Sequence, residues 1–376
     1  MYDKYQQAVD LTKRWDKEGN LDRAIALLTE ATTEDPKFAL GFARLAEAQR
    51  IKYASTRDQA VLETAAANAE HAVQLNADLA PVQFVSGRIQ SLQKKNDLAL
   101  ESFQHALRID PNDAEANQAI ARHYQTMGRS DDAEKAFRRA VALDPDNVLI
   151  LDSFANFLFR QGRFQDAITE WQAEIRLAPD NAPALINLGS ALNETGRIAE
   201  AITMFQRAVA IRPIYMAYNN LGTAYYRSVH YAEAGEAYRK ALDLDGSDFI
   251  VWGGLGYAYA WTPGKEAEAR QAFAKAIELG EAKRLANPRD AAVASELATF
   301  YAKSGHPSEA LARMDTALAL MPKGPEVQAA AAEVYELIGR RDKALEAARQ
   351  ALALGYGRNR FERNPELTKL LQALRQ

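Results

Sequence analysis

Catalysis or metal binding needs titratable or nucleophilic side chains that a fold can bring together, and the five histidines are the first to weigh. His71, His105, His123, His230 and His306 are scattered singly, with no two at i and i+4 and none in a ligand spacing such as HExxH. Surface or core-edge positions are expected for them. The absence of cysteine removes thiolate zinc sites, Cys-ligated iron–sulfur clusters, Cys nucleophiles and disulfides together. Gly253, Gly254 and Gly256 fall inside a helical pattern, not between a strand and a helix, so no phosphate cradle is expected. Carboxylates are plentiful but share their helical faces with Lys and Arg, as solvated surfaces do. No catalytic residue, metal ligand or cofactor is assigned.

What remains is an even composition that must be organised by its spacing. The 376 residues are 48% hydrophobic and 26% charged, with a formal net charge of -4, which offers no basic excess for nucleic acid or an anionic membrane. The opening MYDKYQQAVDLTKRW lacks a basic segment followed by an apolar one, and no stretch reaches the ~18 apolar residues of a membrane span. A soluble chain is expected, with the cytoplasm favoured over the periplasm. At ~150 residues per domain its length predicts two or three domains, but a fixed period changes what length means. Alanine recurs at 24, 65, 99, 133, 167, 201, 234, 269, 310 and 344, mostly 34 residues apart, and a second register seven residues on is broken only by Glu174. Glu174 is expected to reach solvent near Arg176. A third small position, such as Gly87, Ala121, Gly189, Gly222 and Gly256, stands about twelve residues before the first.

Proline closes most units, and Asp113, Asn147, Asn181, Asp248 and Asp290 follow as caps for the next helix. Apolar residues recur at three and four, as in Leu185, Leu188 and Leu192. The unit is a helical hairpin, which must stack on neighbours to cover its apolar face. Two separations of 41 mark seven-residue insertions. In the first, Ser55, Thr56 and Asp58 are candidate caps; the second reads as a helix prolonged through AIELGEAKRLANP, with Gly280 a weak point. Both are best explained as tolerated length variation.

Trp252, Leu255, Gly256, Tyr259, Ala269 and Phe273, and equally Leu185, Leu188, Gly189, Leu192, Ala201, Phe205, Ala208 and Pro213, resemble the tetratricopeptide repeat. The resemblance implies an all-α, right-handed superhelical solenoid of about ten helix-turn-helix units. These lie at about 5–38, 39–79, 80–113, 114–147, 148–181, 182–214, 215–248, 249–290, 291–324 and 325–358, with a capping helix at 359–376. It also implies that first helices line a concave groove, whose exposed side would hold Arg88, Arg122, Asn156, Arg160, Asn187, Asn193, Asn219, Asn220, Tyr226, Arg227, Tyr257 and Trp261. Asn187 and Asn220 match the asparagine-ladder position of peptide-binding members, while Ser153 and Gly254 interrupt the ladder on either side. Tyr218, Tyr225, Trp252 and Tyr259 fall on packing positions and are expected in the core.

The lysine and arginine set by which chaperone-binding members grip a terminal carboxylate is missing: Asp152, Met216 and Asn220 stand where it is needed. The two ends of the chain also resemble repeat arrays attached to output domains in bacterial multidomain signalling proteins, which implies a docking or sensor arm. Three functions stay open at this point. Foremost is a non-enzymatic scaffold that binds a protein or extended peptide in its groove. A structural arm that self-associates through the insertions or the last helix comes next, and an enzyme with a site built across repeats comes last.

Overall fold

The computed structural model describes residues 1–358, 361 and 367–374, and every regular element among them is a helix. Helices follow one another as antiparallel pairs. Met1–Pro179 forms one compact unit, in which α1 (Tyr2–Lys13) pairs with α2 (Asn20–Glu34), α3 (Ala39–Thr56) with α4 (Gln59–Leu75), α5 (Ala80–Leu92) with α6 (Asn96–Ile109), α7 (Ala114–Thr126) with α8 (Ser130–Leu143), and α9 (Val148–Arg160) with α10 (Phe164–Leu177). Asp180–Gln376 forms the other, in which α11 (Ala182–Glu194) pairs with α12 (Ile198–Ile211), α13 (Tyr215–Arg227) with α14 (Tyr231–Leu244), α15 (Phe249–Ala260) with α16 (Glu266–Ala286), α17 (Ala291–Lys303) with α18 (Pro307–Leu320), and α19 (Pro325–Leu337) with α20 (Arg341–Ala353). Each unit is an all-α helical-repeat solenoid of hairpins. Most of the expected cap at 359–376 lies outside the described residues. Its described part is a short helix, Thr368–Ala373, with Phe361, Leu367 and Leu370 buried against the last hairpin.

Five of the first helices, α7, α9, α11, α15 and α17, start where a side chain satisfies their orphan N–H groups. Asp113 Oδ1 accepts from Ala116 N at 3.0 Å, Asp248 Oδ1 from Ile250 N at 2.8 Å, and Asp290 Oδ1 from Ala292 N at 3.0 Å. Asn147 and Asn181 cap α9 and α11 in the same way. Losing one such cap costs about 1 kcal/mol. The register alanines are buried, and the small position of a first helix meets a ring of its own second helix. A Cβ on Gly87 would lie 2.8 Å from Phe103, and one on Gly189 2.6 Å from Phe205. Alanines and these rings fill the interior, so Tyr218, Tyr225, Trp252 and Tyr259 are left half-buried at its rim. Polar partners at that rim explain the difference from the expected core: Trp252 Nε1 donates to Gly246 O at 2.9 Å, and the Tyr225 hydroxyl accepts from Gln206 Nε2 at 2.8 Å. His123, in contrast, is buried beyond the expected core edge. Its Nε2 donates to Asn96 O at 2.8 Å, which leaves Nδ1 to accept from Ser91 Oγ at 3.2 Å.

The first insertion lengthens α3 to 18 residues and α4 to 17, with Asp58 supplying the cap on Ala60 N at 3.0 Å. The second gives α16 21 residues. Gly280 does not weaken it: the glycine is buried, and its missing side chain lets Leu297 and Phe249 approach, since a Cβ there would meet them at 2.8 and 2.9 Å. The next residue, Glu281, accepts from Arg313 Nε and Arg284 Nε, each at 2.7 Å, and from the Tyr301 hydroxyl at 3.2 Å. Burial opposes the Glu281 charge, yet the two guanidinium groups hold its carboxyl below the usual range. The prolonged helix is thereby pinned to the next hairpin. Glu281→Ala is expected to cost about 1–3 kcal/mol in urea unfolding followed by circular dichroism, because three part-buried donors lose their acceptor.

Candidate binding surface

In the first unit the first helices surround a cavity of ≈370 Å³, lined by Lys13, Arg44, Glu47, Phe84, Val85 and Arg88 among others. Glu47, 7% exposed, is its electrostatic centre. It accepts from Arg50 Nε at 2.8 Å and Nη2 at 2.9 Å, and Arg88 Nη1 lies 2.9 Å from its Oε1. Arg88 also lies over the Phe84 ring at 5.3 Å, and burial pulls its guanidinium below the ordinary value. It is therefore bound inward, whereas Arg44, Arg122 and Arg160 are exposed and take no ion pair among the described residues. Asn156 turns back as well, donating to Asp152 O and Oδ1, both at 2.8 Å.

Behind Asn156 lies the main departure from expectation. Trp171 Nε1 donates to Asp152 Oδ1 at 3.1 Å, and Glu174 is 2% exposed, not at the surface beside Arg176. The alanine register it occupies points into the packing, and a glutamate placed there is carried inward with it. Burial, helped by the Asp152 charge, pushes the Glu174 carboxyl up to about 7.

The second unit assembles amides and rings. Asn187 and Asn220 hold equivalent positions on α11 and α13, and Asn220 Nδ2 donates to Ser190 Oγ at 3.4 Å. Asn219 and Asn193 are part-buried beside them, and among the described residues no donor reaches the buried Asn193 Oδ1. Two hairpins beyond Asn220, Glu296 occupies the ladder position on α17, where burial and then the Glu333 charge push its carboxyl up to about 7. Tyr226 lies 6.2 Å from Tyr257 and 5.3 Å from Tyr231, which stacks on Trp261 at 5.9 Å. Lys303 sits 5.3 Å above the Tyr257 ring, and Arg227 has Glu194 at 4.0 Å.

Arg44, Glu47, Tyr231, Glu296 and Lys303 thus join the residues expected from the sequence. All but Tyr231 share a register with one of them: Arg44 and Glu296 stand where Asn187 and Asn220 do, Glu47 where Arg88 does, and Lys303 where Arg227 does.

Two tetratricopeptide repeat models match the chain, one over residues 153–213 and 219–283, the other over 92–152 and 263–334. No curated protein matches it. Among solved structures, a tetratricopeptide repeat protein from Parabacteroides merdae aligns with a TM-score of 0.53 at 18% identity, over 69% of this chain and 98% of its own. The C-terminal part of a TPR repeat-containing protein from Cytophaga hutchinsonii aligns at 0.50 and 19%, over 65% and 97%. MamA is 28% identical at a TM-score of 0.43, over 46% of this chain and 94% of its own. No helix among the described residues is long and apolar enough to cross a membrane. Matched repeats from residue 92 to 334, on hairpins that carry the register alanines, show that the chain belongs to the tetratricopeptide repeat proteins, helical scaffolds for protein–protein interaction.

Proposed function

We propose that the chain binds an extended polypeptide segment of a partner protein along its first helices, in the groove those helices line. The carrying observation is the recurrence, within the second unit, of hydrogen-bonding side chains at one helix position, Asn187, Asn220 and Glu296; the first unit by itself carries Arg44 at that position and Arg122 one turn from it in another hairpin. An extended chain presents amide donors and acceptors at regular intervals. Asparagine and a protonated carboxyl can meet both, and an arginine fork meets carbonyls and carboxylates. Each contact is modest, so affinity depends on several hairpins acting together.

The test is affinity capture from lysate, quantified by mass spectrometry, with the parent chain and with a variant carrying Arg122→Ala, Asn187→Ala and Asn220→Ala. Partner recovery is expected to fall about tenfold or more, while helical circular dichroism and the melting midpoint hold. Undiminished capture by a folded variant would remove the groove from the binding mechanism.

A further inference from the structure

The ends of α13, α15 and α17 place Arg227, Trp261 and Lys303 at one register position, a cation on either side of an indole. Trp261 is 39% exposed, and the rings behind it form a continuous run through Tyr231, Tyr226 and Tyr257 with centroid separations of 5.9, 5.3 and 6.2 Å. At the turn between α13 and α14 stands Val229, 68% exposed with φ of 67°. Seven other hairpins place glycine at this turn position, Gly19, Gly128, Gly162, Gly196, Gly264, Gly305 and Gly339, with φ between 72° and 81°, and one places the unbranched Lys94 there with φ of 61°. A β-branched residue is strained in the left-handed region. Its methyl groups face water, so packing within the chain does not repay that strain. A use for Val229 must come from something that touches it from outside.

We propose that this edge of the second unit, formed by Arg227, Val229, Tyr231, Trp261 and Lys303, docks an acidic, proline-rich segment of a partner protein. The proposal rests on the chain being a polypeptide binder, but it uses neither the asparagines nor Arg122. A polyproline II helix has three residues per turn, so the prolines of a repeating triplet return to one face and can lie against exposed aromatic rings. Such a segment arrives already ordered and needs flat aromatic faces more than backbone hydrogen bonds. Charge selects its sign. Arg227 and Lys303 attract carboxylates beside the prolines, and they repel the quaternary ammonium groups that clustered aromatics otherwise hold.

The full chain is titrated with a fluorescein-labelled peptide of four Glu-Pro-Pro triplets and followed by anisotropy. Four Glu-Ser-Ser triplets and an oligothymidylate serve as comparison probes. Saturable binding of the proline probe alone is expected. Trp261→Ala is expected to weaken it about tenfold or more and Val229→Gly about threefold. Val229→Gly also relieves the left-handed strain and raises the melting midpoint by about 2 °C, which a purely structural role of the valine could not combine with lost affinity. The Arg122, Asn187 and Asn220 triple variant keeps its affinity for this probe, so a failure here is separate from a failure of the groove. Absence of proline-probe binding, equal binding of the serine probe or the oligothymidylate, unchanged affinity in Trp261→Ala, or loss of affinity in the triple variant would each overturn the assignment.

Discussion

Glu174→Gln is expected to leave stability nearly unchanged at pH 5 and to raise it at pH 8 by roughly 3 kcal/mol. The folded carboxyl is pushed from its ordinary 4.5 up to about 7, first by burial and then by the Asp152 charge. A group raised in this way contributes fully below its unfolded value, and that contribution is lost as pH climbs through the folded one. Above pH 7 the chain must either hold a buried anion beside Asp152 or unfold. Glutamine keeps the shape and cannot ionise. Asp152 already accepts from Trp171 and Asn156, so the proton of the pair belongs on Glu174, the group that glutamine replaces. Urea unfolding at the two pH values checks this, and parallel pH dependence in parent and variant would sink it. Glu296 is raised to about 7 in the second unit through burial and Glu333, so Glu296→Gln should flatten the same pH window independently. In the proposed groove its protonated form supplies an O–H donor at the ladder position, so partner capture through that hairpin is expected to weaken above pH 7.

The caps at Asp113 or Asp290 and the alanine registers were legible because each depends on neighbours within one hairpin and recurs with the period. Arg88 was not. Its acceptor Glu47 belongs to the preceding hairpin, and nothing local tells an inward-turned guanidinium from one held out to a ligand. Asn156 failed for a similar reason, since an amide four residues after Asp152 can satisfy itself on its own helix. Glu174 broke the second register visibly, yet burial and solvent escape predict the same letter at that position; only the depth of packing separates them. Tyr231 lies on a second helix, off the face that family geometry singles out, and reaches Trp261 through the packing of α14 against α15 of the next hairpin. The asparagine ladder ends at Gly254 when read one hairpin at a time, although Glu296 takes up the same position one hairpin later. Periodicity gave the register of these positions, but which side chains were already engaged depended on contacts between hairpins.

Gly253 shows the same limit in the packing between hairpins. Gly253→Ala is expected to destabilise the second unit by about 2 kcal/mol, although alanine in an exposed helix would be better than glycine by about 1 kcal/mol. The added Cβ would stand 2.2 Å from Phe300 Cζ and 2.4 Å from Cε1. Carbon atoms settle at roughly 3.5–4 Å, so the ring must retreat by more than about 1 Å. It has little room to do so, being 1% exposed and enclosed by Phe249, Tyr257 and Phe273 with centroids at 6.3, 6.3 and 6.1 Å. Overpacking therefore outweighs propensity. Phe300→Leu removes the clashing ring edge, so in a double-mutant cycle by urea unfolding Gly253→Ala should turn neutral or stabilising in that background. A stabilising Gly253→Ala on its own, or no coupling to Phe300, would show that the seam between α15 and α17 gives way easily. If it does not, strain at Gly253 must spread along both helices, and the same substitution should loosen the register between Trp261 and Lys303 at their ends.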